Sequence, residues 1–433
     1  MSDAWRAGFA QRAIPVADGL QLIGYENCGP RLSQGQHDPL YARAVIFESG
    51  GRRCAIVTLD LLAVDETMTA RLADSAKEFG VEEDCLFLCA AHNHSGPGGY
   101  FTADARFAPL LSLIFGEPDA AVVDAVERSA QDALADAAAS MRPCTLSAAA
   151  VRADGIGTDR NDPTRPGDPF LTLFRFACDN GRRLLVYSAA CHPTVLHEEN
   201  RMLSADWPGE TARALKEMGA ADAVLFLNGS AGDVSTRFTR AGADGFAETR
   251  RLGGRMAEQI RSAAEHLSAV NANGIEPFAF EMPLRVRRVD PQEAAAELAR
   301  AQTALEAGKA AGAAGGALRL LQATAEGAYL GALYARFQPT DDVLSVRVRG
   351  LRFGGYALTF FPFELFSTLS TPLRERTAGR FVPVGYACGY LGYLPDAAIE
   401  HTDNYEKYTT AFAYGQGERL LERAAREIKI AGA

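Results

Sequence analysis

Three short, almost wholly apolar runs restrict this chain more than any other feature: 85–91 (CLFLCAA), 184–190 (LLVYSAA) and 223–228 (AVLFLN). Each is too short for a long helix and too uniformly apolar for a strand with one wet face. Each therefore reads as a strand buried on both sides. Further strand-like runs lie at 42–49, 54–60, 144–151, 170–177, 343–349, 356–361 and 381–387. Stretches with helical spacing fall between or beyond them, at 66–79, 119–140, 207–218, 245–268 and 416–430. This alternation predicts an α/β chain with mixed, largely parallel multi-stranded sheets flanked by helices. Residues 1–40 read as loop-rich.

Each of the three buried runs gives way to polar residues. The first empties into His92-Asn-His94-Ser-Gly-Pro-Gly-Gly99, the second into Cys191-His192-Pro193, the third into Gly229-Ser-Ala-Gly-Asp233-Val-Ser235. Glu364 stands just after the run at 356–361. Taken singly, these residues have ordinary explanations: a hydrogen-bonded histidine, a helix-capping glutamate, a serine in a glycine turn. Taken together they are less ordinary, because neighbouring parallel strands open on the same side of a sheet. Two separated imidazoles and a carboxylate form a ligand set suited to zinc, and zinc makes hydroxide available near neutral pH. The serine is not in G-x-S-x-G, so a hydrolase elbow does not apply. The HNH letters sit in the wrong context for the nuclease of that name. The HxH pattern of amidohydrolase barrels would require further histidines and a bridging lysine, whereas only His192 and His197 are spare in mid-chain.

A net charge of −10 argues against a nucleic-acid partner. None of the eight cysteines forms a CxxC pair, and several lie in apolar runs, which suits buried reduced thiols. The N-terminus lacks the basic and apolar regions of a secretory signal, and no run approaches the ~20 apolar residues of a membrane span. The expectation is a cytoplasmic protein without stable membrane insertion. Residues 291–338 depart from the rest in being alanine-rich around Gly308 to Gly316. They predict a helical hairpin packed on the body, with a lid or a partner-binding helix pair as competing readings.

The motifs His92-Asn-His94-Ser-Gly-Pro-Gly-Gly99 and Asn228-Gly-Ser-Ala-Gly-Asp-Val-Ser235 resemble the H-T-H-S-G-P-G-G and N-x-G-D-V-S-P-N motifs of the neutral (non-lysosomal) ceramidase family. Weaker matches are the His192 strand end, Ser204-Ala-Asp206-Trp-Pro208-Gly209, Pro362-Phe-Glu364, and Tyr393 through Tyr405-Glu406. Their order is that of the family along nearly the whole chain. The resemblance implies one catalytic domain over 1–433 with 291–338 as an insertion; the C-terminal β-sandwich domain that follows in full-length members is not expected here. It implies a Zn2+-dependent hydrolase that cleaves an N-acyl amide. His92, His192 and Glu364 would be metal ligands, with Tyr393 as the fourth and Tyr405 competing for that position. His94 would assist proton transfer, Ser235 would contact the scissile carbonyl, and Arg160 would stabilise the oxyanion together with a tyrosine, Tyr405 if Tyr393 binds the metal. Asp206 or Asp60 would orient the ligand histidines. Thr236-Arg237 replaces the family's Pro-Asn, so a small or acylated amide other than ceramide is compatible. An ester or lactone hydrolase, or a ligand-binding relative without catalysis, are the alternatives. A homo-oligomer is compatible with all of them.

Overall fold

The computed structural model describes residues 4–25, 31–102, 107–242 and 244–430. Cys28 lies outside them; the other seven cysteines are unbridged. The first half of the chain runs β1 (Trp5–Ala13), β2 (Tyr41–Ser49), β3 (Arg52–Leu59), α1 (Glu66–Ala76), β4 (Leu86–Ala90), α2 (Ala108–Phe115) and α3 (Ala120–Ala139). Next come β5 (Arg142–Arg152), β6 (Thr158–Asp159), β7 (Phe170–Cys178), β8 (Arg183–Ala189), α4 (Asp206–Glu217), β9 (Ala223–Asn228), β10 (Val234–Ser235) and α5 (Gly245–Ala263). The second half opens with β11 (Ser268–Ala269), β12 (Glu276–Arg285), α6 (Pro291–Ala310), α7 (Gly315–Phe337), β13 (Val343–Phe353) and β14 (Tyr356–Phe360). It closes with β15 (Glu364–Leu365), α8 (Ser367–Arg376), β16 (Phe381–Val384), β17 (Tyr393–Leu394), α9 (Tyr405–Thr409) and α10 (Gln416–Ile428).

The main sheet has the order β4-β3-β2-β1-β5-β7-β8-β9, with β11 on β5. The mixed α/β class holds, but the parallel share is smaller than expected. In the main sheet only β3/β4 and β8/β9 run parallel. The other ladders are antiparallel; among them, short turns at 50–51 and 179–182 fold β2 onto β3 and β7 onto β8 as hairpins. Two long strands, and the two-residue strands β6, β10, β11, β15 and β17, were not read from the sequence. β1, placed in a region expected to be loop, lies at the centre of the sheet between β2 and β5. β12 carries Pro277 and Pro283, which a central ladder excludes, and it is accordingly the edge of the second sheet, β12-β13-β14-β16.

α3 packs on β1 and β2 through Val126, Ala130, Ala133, Leu134 and Ala137, spaced three and four apart. α4 and α5 pair over β7 to β9. The two sheets share one core, in which Trp5, Phe47 and Phe174 of the first meet Phe353 of the second. The segment after β16 completes the join. Cys388 N donates to Leu88 O, Ala90 N to Tyr386 O, and Gly385 N to Asn228 O. Asn228, the last residue of β9, also donates its side-chain amide to Ala91 O at 3.0 Å. The C-terminal ends of both parallel pairs are thereby drawn to one place. Among the described residues no helix is long and apolar enough to cross a membrane.

Candidate metal centre and active site

β4 ends at Ala90, and two residues later His92 takes φ +67°. A left-handed residue that is not glycine costs of order 1 kcal/mol or more and persists only where its surroundings hold it. Here they do. Its Nδ1 lies 2.8 Å from Leu62 O, on the loop after β3, and its ring stacks on Tyr386 at 4.0 Å between centroids. His192 follows β8, with Nδ1 at 2.7 Å from Ala231 O and 3.1 Å from Val234 O, both beyond β9. His94 Nδ1 lies 2.9 Å from Gly24 O. A carbonyl can only accept, so all three rings carry a proton on Nδ1, and each turns its Nε2 inward. The Nε2 atoms of His92 and His94 are buried without a hydrogen-bond partner.

These three rings offer ring nitrogens within 4.8 Å of one another. Glu364, the first residue of β15, adds a carboxylate: its Oε2 is 3.2 Å from His92 Nε2 and 3.1 Å from His192 Nε2. Burial would raise its pKa, but His92 and His192 more than offset that and hold the carboxyl well below the usual carboxylate range. Burial, reinforced by the other two histidines, holds His94 well below the ordinary imidazole value, and burial with the adjacent Arg160 pushes His192 down to about 4. Buried imidazoles with Nδ1 committed to carbonyls, beside an ionised carboxylate, are the donor set that zinc takes.

Tyr393 pairs with Glu364 in the β15/β17 ladder, which brings its phenol to the centre, whereas Tyr405 opens α9 with its ring 5.7 Å from that of Tyr393. Arg160, just past β6, lies over both rings at 5.2 and 5.7 Å. Glu406 fixes it through Nε at 2.5 Å, Nη1 sits 3.2 Å from His192 Nε2, and Nη2 is buried without a partner. Burial disfavours its charge, but Glu406 and Tyr393 hold its pKa well above the usual value. Ser235 is brought in by the β6/β10 ladder and accepts Arg237 N–H at 3.3 Å. All eight residues expected from the sequence therefore converge.

The expected orienting carboxylates do not. Asp60 bonds Arg43 and Tyr41 N; Asp206 accepts Leu196 N and Trp207 N. Main-chain carbonyls have taken their place. Two tyrosines were missed. Tyr390 donates to Glu364 Oε1 at 2.5 Å, and Tyr386 stacks on His92. The cluster of tyrosines at 386–393 was the available signal. Two cavities meet at His94, Tyr393 and Tyr405. One is polar, lined by Arg160, His197, Ser235, Arg237, Arg319 and Glu326; the other is apolar, lined among others by Phe107, Leu111, Ile114, Leu330 and Leu391. α7 walls both.

The architecture places the chain among proteins with the fold of the solved ceramidases. The neutral ceramidase from Pseudomonas aeruginosa superposes with a TM-score of 0.76 over 99% of this chain and 74% of that one, at 18% identity. A ceramidase complexed with C2 gives 0.76 over 100% and 76%, at 17% identity. The protein belongs to the neutral/alkaline non-lysosomal ceramidase family, whose N-terminal region matches residues 14–244. Among relatives, the neutral ceramidase of Mycobacterium tuberculosis is 28% identical over 213 residues, 44% of this chain and 32% of that protein. That of Oryza sativa is 24% identical over 221 residues, 47% of this chain and 27% of that protein. The matched stretch thus spans about a third or less of those relatives.

Proposed function

We propose that this protein is a zinc-dependent hydrolase that cleaves an N-acyl amide bond. The observation that carries the reading is the convergence of three buried imidazoles, each with Nδ1–H committed to a main-chain carbonyl, beside the ionised Glu364. His92, His192, Glu364 and Tyr393 would hold the metal. When bound, zinc supplies Lewis-acid polarisation of the acyl carbonyl and a water acidified toward pH ~7.

The chain's own groups do the rest. The acyl part of the substrate lies along the apolar cavity, and the amine part in the polar one. His94 is neutral and carries its lone pair on Nε2, so it accepts the proton of the attacking water and returns it to the leaving nitrogen. Arg160 Nη2, a buried donor with no partner, stabilises the oxyanion together with the Tyr405 hydroxyl. The Ser235 hydroxyl, held by Arg237 N–H as acceptor, keeps its own proton free for the scissile carbonyl. Net, the C–N bond breaks, a C–O bond forms, and acid and amine are released.

The test is metal analysis together with turnover of matched N-acyl amides and esters. About one zinc per chain, with amide turnover abolished by a strong chelator, is expected. Full activity in metal-free protein would sink the proposal, and turnover of esters alone would transfer the same site to ester chemistry.

A further inference from the structure

The polar cavity is charged in an unbalanced way. Arg160, Arg237 and Arg319 all line it. Arg160 is neutralised by Glu406, whose second oxygen also takes Asn161 Nδ2 at 3.0 Å. Arg319 is held by both oxygens of Glu326, at 2.7 and 3.0 Å. Two of the three guanidiniums thus have a carboxylate in direct contact. Arg237 is the one left over: among the described residues it has no ion pair, and its Nη1 donates to the main-chain Arg160 O at 2.6 Å. Burial, followed by the like charges of Arg160 and Arg319, pulls its pKa down to about 10, so it remains a cation short of a counter-charge. A half-buried guanidinium in this state favours a monoanion, and a carboxylate fits its planar fork.

Its position says where on the substrate that carboxylate sits. Arg237 and Ser235 line the same polar cavity, and the Arg237 main-chain N–H donates to Ser235 Oγ at 3.3 Å. With the scissile carbonyl at Ser235 and the acyl chain in the apolar cavity, a group that meets Arg237 belongs to the amine part of the substrate. From this we infer that the polar cavity is an anion site, and that the substrate is an N-acyl amino acid whose α-carboxylate pairs with Arg237. The inference rests on the amidase reading and narrows it. Water adds to the acyl carbon, the C–N bond breaks, the nitrogen takes the proton, and a carboxylic acid and a free amino acid leave. A neutral amide such as an N-acyl amino alcohol leaves Arg237 unpaired, which is a buried-charge penalty the anionic substrate removes.

The test compares N-octanoylglycine with N-octanoylethanolamine, which differ in that carboxylate. Calorimetric titration of chelator-treated protein separates binding from turnover. The acid is expected to bind about ten- to a hundredfold more tightly. Arg237→Met should erase the difference and Arg237→Lys should keep part of it, which guards against a mere folding defect in the Met variant. Equal affinities, or no binding of either compound, would overturn the inference. Turnover by the zinc-loaded protein sorts the two levels. Hydrolysis of both compounds at equal kcat/KM removes the anion site and leaves the amidase. Selective binding of the acid with no hydrolysis of any amide removes the amidase and leaves the anion site.

Discussion

His92 and His94 are one residue apart and are held by different parts of the molecule. His92 hangs on Leu62 O and Tyr386, whereas His94 hangs on Gly24 O and touches both cavities. Gly24 has φ +95°, and a Cβ there would stand 2.4 Å from His94 Nδ1, so the chain must be glycine for the ring to seat. The different supports predict different losses. His92→Ala should lower bound zinc well below one per chain, and His94→Ala should keep zinc while kcat falls about a hundred- to ten-thousandfold. Metal content and kcat measured on both variants decide it; equal loss of zinc would end the division of roles. A second residue-scale outcome concerns Asp206, whose buried carboxyl is pushed up to about 7 by burial. The unfolded chain ionises near 3.9, so the fold holds the extra proton and this group lowers stability as pH rises from ~4 to ~7. Asp206→Asn should therefore gain on the parent through that window, by at most ~4 kcal/mol, read by urea unfolding at both ends. At this scale the residue types of the centre were legible, since imidazole and carboxylate stand directly after apolar runs. The groups that orient them were not, since a main-chain carbonyl has no letter in a sequence.

At the scale of elements, α7 has the most to explain. It is alanine-rich, as expected, and packs against α6 along its length. It also crosses α9 at Gly327, where a Cβ would come within 2.8 Å of Tyr405 Cα, and at Gly331, against Tyr408. Small residues let the two helices approach closely enough for Leu330 and Ala323 to wall the two cavities while Tyr405 faces the centre. Gly327→Leu should push α9 outward and lower kcat/KM at least about tenfold, with the far-ultraviolet circular dichroism unchanged; parental activity would mean that Tyr405 is not positioned by α7. The short, uniformly apolar strands were readable because burial on both faces leaves one kind of side chain. β1 was not, because Trp5–Ala13 mixes Arg6, Gln11 and Arg12 with small residues and draws its place from β2 and β5. Ladder direction was misjudged for a related reason: the connections between strands, not the strands, set it.

The whole molecule is two large sheets joined around one centre, with the two-stranded ladders β6/β10 and β15/β17 beside it, and the join includes a fully buried ion pair. Arg374 of α8 bonds the Asp168 carboxylate just before β7, and its Nη2 donates to Thr172 Oγ1 of β7 at 2.8 Å. Arg374→Met leaves Asp168 buried and unpaired, which should cost about 3–5 kcal/mol of unfolding free energy, measured by denaturant titration, while the folded fraction still binds zinc. No pattern in the sequence announces this pair, since its partners lie 206 positions apart. The anchoring of the three imidazoles has a different kind of consequence. Because Leu62, Gly24 and Ala231 contribute their carbonyl oxygens and not their side chains, the proton position on each ring is inherited from the path of the backbone. Substitutions at Leu62 or Ala231 that preserve that path leave it intact. Drift at such positions can therefore be wide in side-chain identity and still chemically silent, so the parts that aim the centre are the parts that comparing side chains is least able to reveal.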